Sequence, residues 1–154
     1  MRILALFAAT LTMGLMAGVF GLYAHTIMPG LRRTDDRTFV GAFQAIDRAI
    51  INPLFLAGGF LGALVFTALA AALHLRSGAL PWILAALVLY LATVAITVGV
   101  HLPLNNAIKA ADDPDPAALR ERFDEARWAR WNAVRALATT IAFGCLAWAL
   151  TVAP

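Results

Sequence analysis

Four long apolar runs limit the folds open to this chain more than any other feature. Each is close to the roughly 20 residues that a helix needs to cross ~30 Å of hydrocarbon. The runs are Ile3–Ala24, Pro53–Leu73, Trp82–Val100 and Ala136–Val152. Hydrophobic residues make up 62% of the chain, charged residues 14%, and the mean hydropathy is +0.79, which excludes an ordinary water-soluble domain. We predict an all-α integral membrane protein, a single four-helix up-down bundle over residues 1–154.

The first long connection contains an amphipathic segment, Thr34–Ile51, whose apolar residues recur at helical spacing. This pattern predicts a helix lying at the membrane interface, with Thr34 as its N-cap. Pro29 and Gly30 precede it. Because proline disfavours helical geometry before it and glycine suits a cap, we expect the first span to end there.

The second long connection contains a helix-breaking run, Asp112 to Pro116, followed by a helix-forming stretch, Ala117–Arg135. We expect this stretch to run directly into the last span. Pro103, just after His101, should loosen the end of the third helix.

Short connections make consecutive spans antiparallel, which brings polar residues from several spans to one end of the bundle. These residues are His25, Gln44, Asp47, Asn52, His101, Asn105, Asn132 and Arg135. Trp128 and Trp131 add aromatic surface at the same end. An ionisable group inside hydrocarbon costs several kcal/mol, about 3 on insertion scales, so a functional role is favoured for any that is truly inside. The alternative is that His101 and Arg135 extend to the headgroups.

The net charge is +3, but basic residues alternate with acidic ones and form no nucleic-acid motif. We therefore predict a lipid bilayer and no nucleic acid as partner. Arginine and lysine concentrate in the two long connections, which the positive-inside rule assigns to the cytoplasm, with both termini outside. The expected location is a bacterial inner (plasma) membrane.

Small residues four apart predict close helix packing, as at Gly14 with Gly18 and at Gly58 with Gly62. The same faces allow a homo-oligomer. Cys145 is the only cysteine and lies within the last apolar run, so it forms no internal disulfide and is expected to be a packing residue.

Several short motifs, taken in order, resemble the anthrone-oxygenase-like (DUF1772) family of membrane proteins. They are Met28-Pro29-Gly30-Leu31, Gln44 with a polar residue at 47, Asn52-Pro53, Pro103-Leu104-Asn105, and Trp131-Asn132 followed by Arg135. The resemblance covers nearly the whole chain and departs at Asp47, where asparagine is expected. It implies a four-helix membrane protein, some of whose fungal relatives oxidise anthrones to anthraquinones with molecular oxygen.

The residues at the polar end are compatible with such a reaction on a hydrophobic aromatic small molecule. Histidine changes charge near neutral pH, so His101 is the candidate base. Arg135, Asn105 and Asn132 can donate to a developing oxyanion. The candidate substrate-binding residues are Trp128, Trp131, Gln44 and Asn52.

No cofactor is favoured, but two alternatives stay open. His25, His101 and Asp47 have the ligand types of a two-histidine, one-carboxylate site for iron, and copper is the other metal considered. A non-catalytic membrane scaffold would need none of this chemistry. A protein that binds or transports small molecules also stays open, but the four spans contain no acidic residue to couple ions, so transport would depend on the polar residues at the boundary.

Overall fold

The structure, a computed structural model, describes residues 1–109 and 115–153, and these residues form six helices and no strand. The four long apolar helices are α1 (Arg2–Leu31), α3 (Leu54–Leu73), α4 (Leu80–Lys109) and α6 (Glu125–Val152). The two shorter helices are α2 (Asp36–Ile50) and α5 (Pro116–Phe123). The predicted all-α membrane bundle with four spans is confirmed. Asp112, Asp113 and Pro114 of the predicted break lie outside the described residues.

The four long helices form a bundle in which α1 and α4 each pack against both α3 and α6. The pairing of α3 with α4 is the least extensive of the four. Arg2, His74 and Ala153 meet at one end, where the half of the bundle around Leu6 and Ile83 has a fully buried apolar core. The polar residues of the sequence lie at the other end.

Three widened, π-helical segments occur among the long helices, and all three belong to this polar end. They are Tyr23–Ile27 in α1, Leu54–Leu61 in α3 and Thr97–His101 in α4. Such segments rotate the following side chains relative to a regular helix, and they are frequent at functional sites.

The expected end of the first span at Pro29 was wrong, and the third helix, expected to loosen at Pro103, also continues past its proline. Each proline comes two residues after a π-helical segment. The amide of the residue before each proline donates to the carbonyl five residues earlier, from Met28 to Tyr23 in α1 and from Leu102 to Thr97 in α4. The widened turn moves the carbonyl that the proline ring would otherwise strike. Both helices therefore extend for 30 residues.

The first turn of α2 is capped by Asp35, not by the predicted Thr34. The Asp35 carboxylate accepts from the Thr38 amide at 3.0 Å and from the Thr38 hydroxyl at 2.7 Å. Thr34 instead donates its hydroxyl to the Leu31 carbonyl at the end of α1. The buried face of α2 carries Phe39 and Phe43, as its amphipathic pattern predicts.

The predicted continuous helix from Ala117 into the last span was also wrong. Asp124 has a φ of 48° and separates α5 from α6. Aspartate tolerates this left-handed conformation better than most residues. Its side chain also accepts from the Arg127 amide at 3.1 Å, so the residue that ends α5 caps α6.

Candidate functional site

A cavity of about 230 Å³ lies at the polar end of the bundle, among α1, α2, α3, α4 and α6. Most of its wall is apolar or aromatic, and all three π-helical segments contribute to it. It is lined by Val19, Phe20, Tyr23, Phe43, Asp47, Ile50, Ile51, Phe55, Leu56, Phe60, Thr97, Val98, His101, Leu102, Asn105, Lys109, Trp128 and Arg135.

Arg135 places a buried guanidinium in this wall. Its side chain donates from Nη1 to Thr97 Oγ1 at 3.0 Å and from Nη2 to Asn132 Oδ1 at 2.8 Å. The guanidinium lies 4.5 Å over the ring of Phe20. Arg135 forms no ion pair with a carboxylate of the described residues, and its buried Nε has no partner. A buried cation with a free donor is costly unless a ligand supplies an acceptor.

His101 is 1% exposed, and its ring also lies in the cavity wall. Nδ1 lies 3.4 Å from the carbonyl of Ile96, a weak contact in which the carbonyl can only accept. In a neutral ring, this contact would place the proton on Nδ1. The buried Nε2 has no hydrogen-bond partner among the described residues.

A chain of polar contacts crosses the cavity wall from α2 to α6. Asp47 accepts from Asn105 Nδ2 at 2.7 Å, and Asn105 Oδ1 accepts from the Trp128 indole at 2.8 Å. Trp128 in turn packs edge-on against His101, with ring centroids 4.9 Å apart. Lys109 pairs with the other Asp47 oxygen at 2.7 Å. These contacts fix the indole that contacts the imidazole.

The end of the cavity farthest from the bundle core is covered by aromatic side chains of α2, α5 and α6. Phe39, Phe43, Phe123 and Trp128 are all buried there and contact one another. Beside them Arg120 of α5 donates to carboxylate oxygens of Asp36 and Glu125, both at 3.0 Å. Burial opposes the charge of Arg120, but these hydrogen bonds outweigh it and raise its pKa. The cover is thus both apolar and cross-linked.

The profile of the anthrone oxygenase family matches residues 43–145, more than half of the chain. The chain belongs to the anthrone oxygenase family. No curated protein and no solved structure matches it. The family match includes His101, Asn105, Trp128 and Arg135 and begins after the Met28-Pro29-Gly30-Leu31 motif.

In this member of the anthrone oxygenase family, four of the predicted site residues line the cavity, namely His101, Asn105, Trp128 and Arg135. Asn132 lies directly behind Arg135. It is fully buried, accepts from the guanidinium and donates to the Phe20 carbonyl at 3.1 Å. The i,i+4 spacing of His101 and Asn105 keeps both on one face because α4 continues past Pro103.

The other three predicted substrate-binding residues do not line the cavity. Gln44 donates to the Ile108 carbonyl at 2.7 Å and so ties α2 to α4. Asn52 is exposed, and its side chain accepts from the Phe55 amide at the start of α3. Trp131 lies outside the lining set on α6. Gln44 and Asn52 are therefore held by backbone groups outside the cavity, and Trp131 lies on a different face of α6.

The alternative metal ligands are not brought together. His25 is exposed and hydrogen-bonded to Thr26, whereas His101 and Asp47 lie in the cavity wall. Across residues 1–109 and 115–153, no group of three histidine, cysteine, aspartate or glutamate side chains is arranged to hold a metal ion.

Sequence reasoning missed four lining residues that contact the predicted ones. Tyr23 stacks at an angle against Trp128, and Phe20 lies under Arg135. Thr97 accepts from Arg135, and Lys109 neutralises Asp47. Helical spacing could have identified three of them. Phe20 and Tyr23 are three residues apart and so share a face of α1, and Thr97 lies four residues before His101 on the same face of α4.

Proposed function

We propose that this protein catalyses the oxygen-dependent oxidation of a flat, hydroxylated aromatic substrate of the anthrone type, without a metal or organic cofactor. One observation carries the proposal. His101 and Arg135 line the same apolar cavity, and each has a buried side-chain nitrogen without a partner among the described residues. Proton removal and oxyanion stabilisation need these two groups together.

The reaction begins with His101. Its Nε2 takes a proton from the methylene carbon between two aromatic rings, and the electron pair moves to the ring-conjugated oxygen. Arg135 stabilises the negative charge through its free Nε–H. Molecular oxygen then bonds to the carbon. The methylene becomes a carbonyl that keeps one oxygen atom, and the other oxygen leaves as water with the two hydrogens.

The aromatic wall supports this assignment. Tyr23, Phe43, Phe55, Phe60 and Trp128 all line the cavity and offer surface to a planar substrate. An apolar wall also excludes water, which strengthens the interaction between Arg135 and a developing negative charge.

The decisive experiment is turnover of an anthrone by the purified protein under air and under nitrogen. We expect quinone to form only with oxygen. His101→Ala should lower turnover by roughly 10²–10⁴, as expected for a general base. Arg135→Lys should also lower it, since lysine keeps the charge but loses the fixed donor geometry.

Two exposed residues provide matched controls, His25→Ala for the histidine and Arg130→Lys for the arginine. Both should react at the wild-type rate. Equal turnover by wild type and His101→Ala would remove the base. Sensitivity to a chelator together with loss of activity in His25→Ala would favour the metal site. Absence of turnover with every anthrone would favour a scaffold or binding protein.

We also propose a bacterial inner membrane as the location, with α2 and α5 on the cytoplasmic side. The support is the concentration of arginine and lysine in the connections that carry these helices. In a Cys145→Ser background, cysteines introduced at Asp35 and Arg127 should react alike with a membrane-impermeant thiol reagent. A cysteine at Arg76 should show the opposite accessibility. Opposite labelling at Asp35 and Arg127 would overturn this topology.

A further inference from the structure

The cavity wall contains four residues whose side chains are also exposed on the outside of the bundle. They are Ile51 (56% exposed), Leu56 (39%), Val98 (58%) and Leu102 (46%). All four are aliphatic, and every polar or charged residue in the wall is less exposed than they are. Residues that line a cavity and face outward at the same time form the rim of its opening.

The rim lies between α3 and α4. Leu56 is in the π-helical first turns of α3, and Val98 is in the π-helical segment of α4. These two helices pack against each other less extensively than the other neighbouring pairs of the bundle. The π-helical segments of α3 and α4 therefore lie where these two helices, the least extensively packed neighbours in the bundle, meet.

The opening lies at the depth of the hydrocarbon. A rise of ~1.5 Å per residue puts Val98 about 24 Å along α4 from Trp82, within the ~30 Å of a bilayer core. Trp82 is the residue expected at the opposite interface. At this depth Val98, and Leu56 across from it on α3, contact lipid chains, whereas Ile51 and Leu102 lie closer to the interface.

On the water side, the described residues cover the cavity with aromatic side chains. Phe39, Phe43, Phe123 and Trp128 pack over this end of the cavity, and Arg120 links α5 to Asp36 and Glu125 beside them. A water-soluble molecule would have to displace this cover. A molecule dissolved in the bilayer would not.

We infer that the cavity takes its ligand sideways from the bilayer, between α3 and α4, and that this ligand is an uncharged, membrane-dissolved molecule with a flat apolar body and an oxygen acceptor. The ligand class rests on the proposed function, whereas the route rests on the rim, the limited contact between α3 and α4 and the aromatic cover. Inside the rim, Phe55 and Phe60 of α3 contact the body of the ligand, and the oxygen acceptor meets the free Nε–H of Arg135.

The test measures binding in lipid vesicles, independently of turnover. Trp128 is made the only tryptophan by changing Trp82, Trp131 and Trp148 to Phe, and its fluorescence reports the cavity. The probes are neutral 9,10-anthraquinone mixed into the lipid and its water-soluble 2-sulfonate added outside. We expect saturable quenching by the neutral probe only.

Rim variants separate a route from a binding site. Leu56→Phe and Val98→Phe should slow both association and dissociation of anthraquinone by about tenfold, because binding limited by access lowers both rates together. The dissociation constant should stay close to that of the parent. Val88→Phe is the matched control, since Val88 is 65% exposed on the same helix but does not line the cavity. It should bind at the parent rate.

Three results would overturn the inference. Unchanged rates in both rim variants would refute the lateral route, and equally fast quenching by the sulfonate would assign access to the water side. Absence of saturable quenching by anthraquinone in the parent would refute the ligand class. Saturable, rim-limited binding without turnover of any anthrone would instead refute only the proposed function. Circular dichroism and size-exclusion chromatography should first show that each variant is folded.

Discussion

Asp47 and Lys109 form an ion pair of 2.7 Å between α2 and α4 in the wall of the cavity. The Asp47 side chain is 9% exposed and that of Lys109 23%. The second carboxylate oxygen accepts from Asn105, so the pair neutralises a buried charge and orients an amide at once. The chain has aspartate where its family resemblance predicts asparagine, and Lys109 is the residue that makes this carboxylate tolerable.

Removing the carboxylate should destabilise the protein. We expect Asp47→Leu to lower the free energy of unfolding by about 1–3 kcal/mol, between the values for exposed and buried pairs. Asp47→Asn with Lys109→Met should recover most of this, because asparagine still accepts from Asn105 and no cation is left unpaired. Denaturant unfolding in detergent micelles measures both. A double variant no more stable than Asp47→Leu would contradict the pairing.

Asn132 should position Arg135 rather than touch the substrate. Asn132→Leu removes one acceptor from the guanidinium and one donor from the Phe20 carbonyl, and we expect a loss of about 1–3 kcal/mol in stability. Asn132→Asp keeps an acceptor and adds a counter-ion beside Arg135. Turnover of an anthrone should then fall although the protein stays folded, since the cation is neutralised. Wild-type turnover in Asn132→Asp would show that the charge of Arg135 is not used.

The glycines of α1 should differ in their tolerance of a side chain. A Cβ at Gly14 would lie 2.9 Å from the ring of Phe143, whereas one at Gly18 meets nothing within 4 Å. Gly14→Leu should therefore cost about 1–3 kcal/mol by overpacking, and Gly18→Leu should leave monomer stability nearly unchanged. Thermal unfolding of the two variants is the comparison. A homo-oligomer through Gly18 stays a prediction, and cross-linking of Gly18→Leu against wild type would test it.

The junction at Asp124 should depend on both its conformation and its side chain. Asp124→Ala places a methyl group in the left-handed region and removes the cap of α6, which together should cost about 2 kcal/mol. Asp124→Asn keeps the acceptor and tolerates the same φ, so it should be close to wild type. Equal stability of the alanine and asparagine variants in denaturant unfolding would argue against this role.

Acid should loosen the start of α2. Hydrogen bonds from the side chain and then the backbone of Thr38 lower the pKa of Asp35 below its ordinary value of 3.8. A lowered pKa means that the cap stabilises the folded helix fully above pH 3.8, and that this contribution is lost as the pH falls through the lowered value. Protection of the Thr38 amide from hydrogen exchange should decrease over that window. In Asp35→Ala it should be low at every pH.

The four spans, and the placement of His101, Asn105 and Arg135 at one end of the bundle, can be predicted from local features of the sequence. Run length alone identifies α1, α3, α4 and α6, because crossing hydrocarbon sets a minimum apolar length. The up-down order of the spans then brings His101, Asn105 and Arg135 to one end, and helical spacing puts the first two on one face. These inferences need no knowledge of what each residue contacts.

Only the tertiary structure determined which groups from distant parts of the chain each polar side chain bonds to. Gln44 and Asn52 are as polar as Asn105, yet their side chains bond to backbone groups and leave the cavity to others. The passage of α1 and α4 beyond Pro29 and Pro103 depends on widened turns that no residue type specifies. Residue type limits which hydrogen bonds a side chain can form, but the choice among them depends on which groups the packed helices bring within reach.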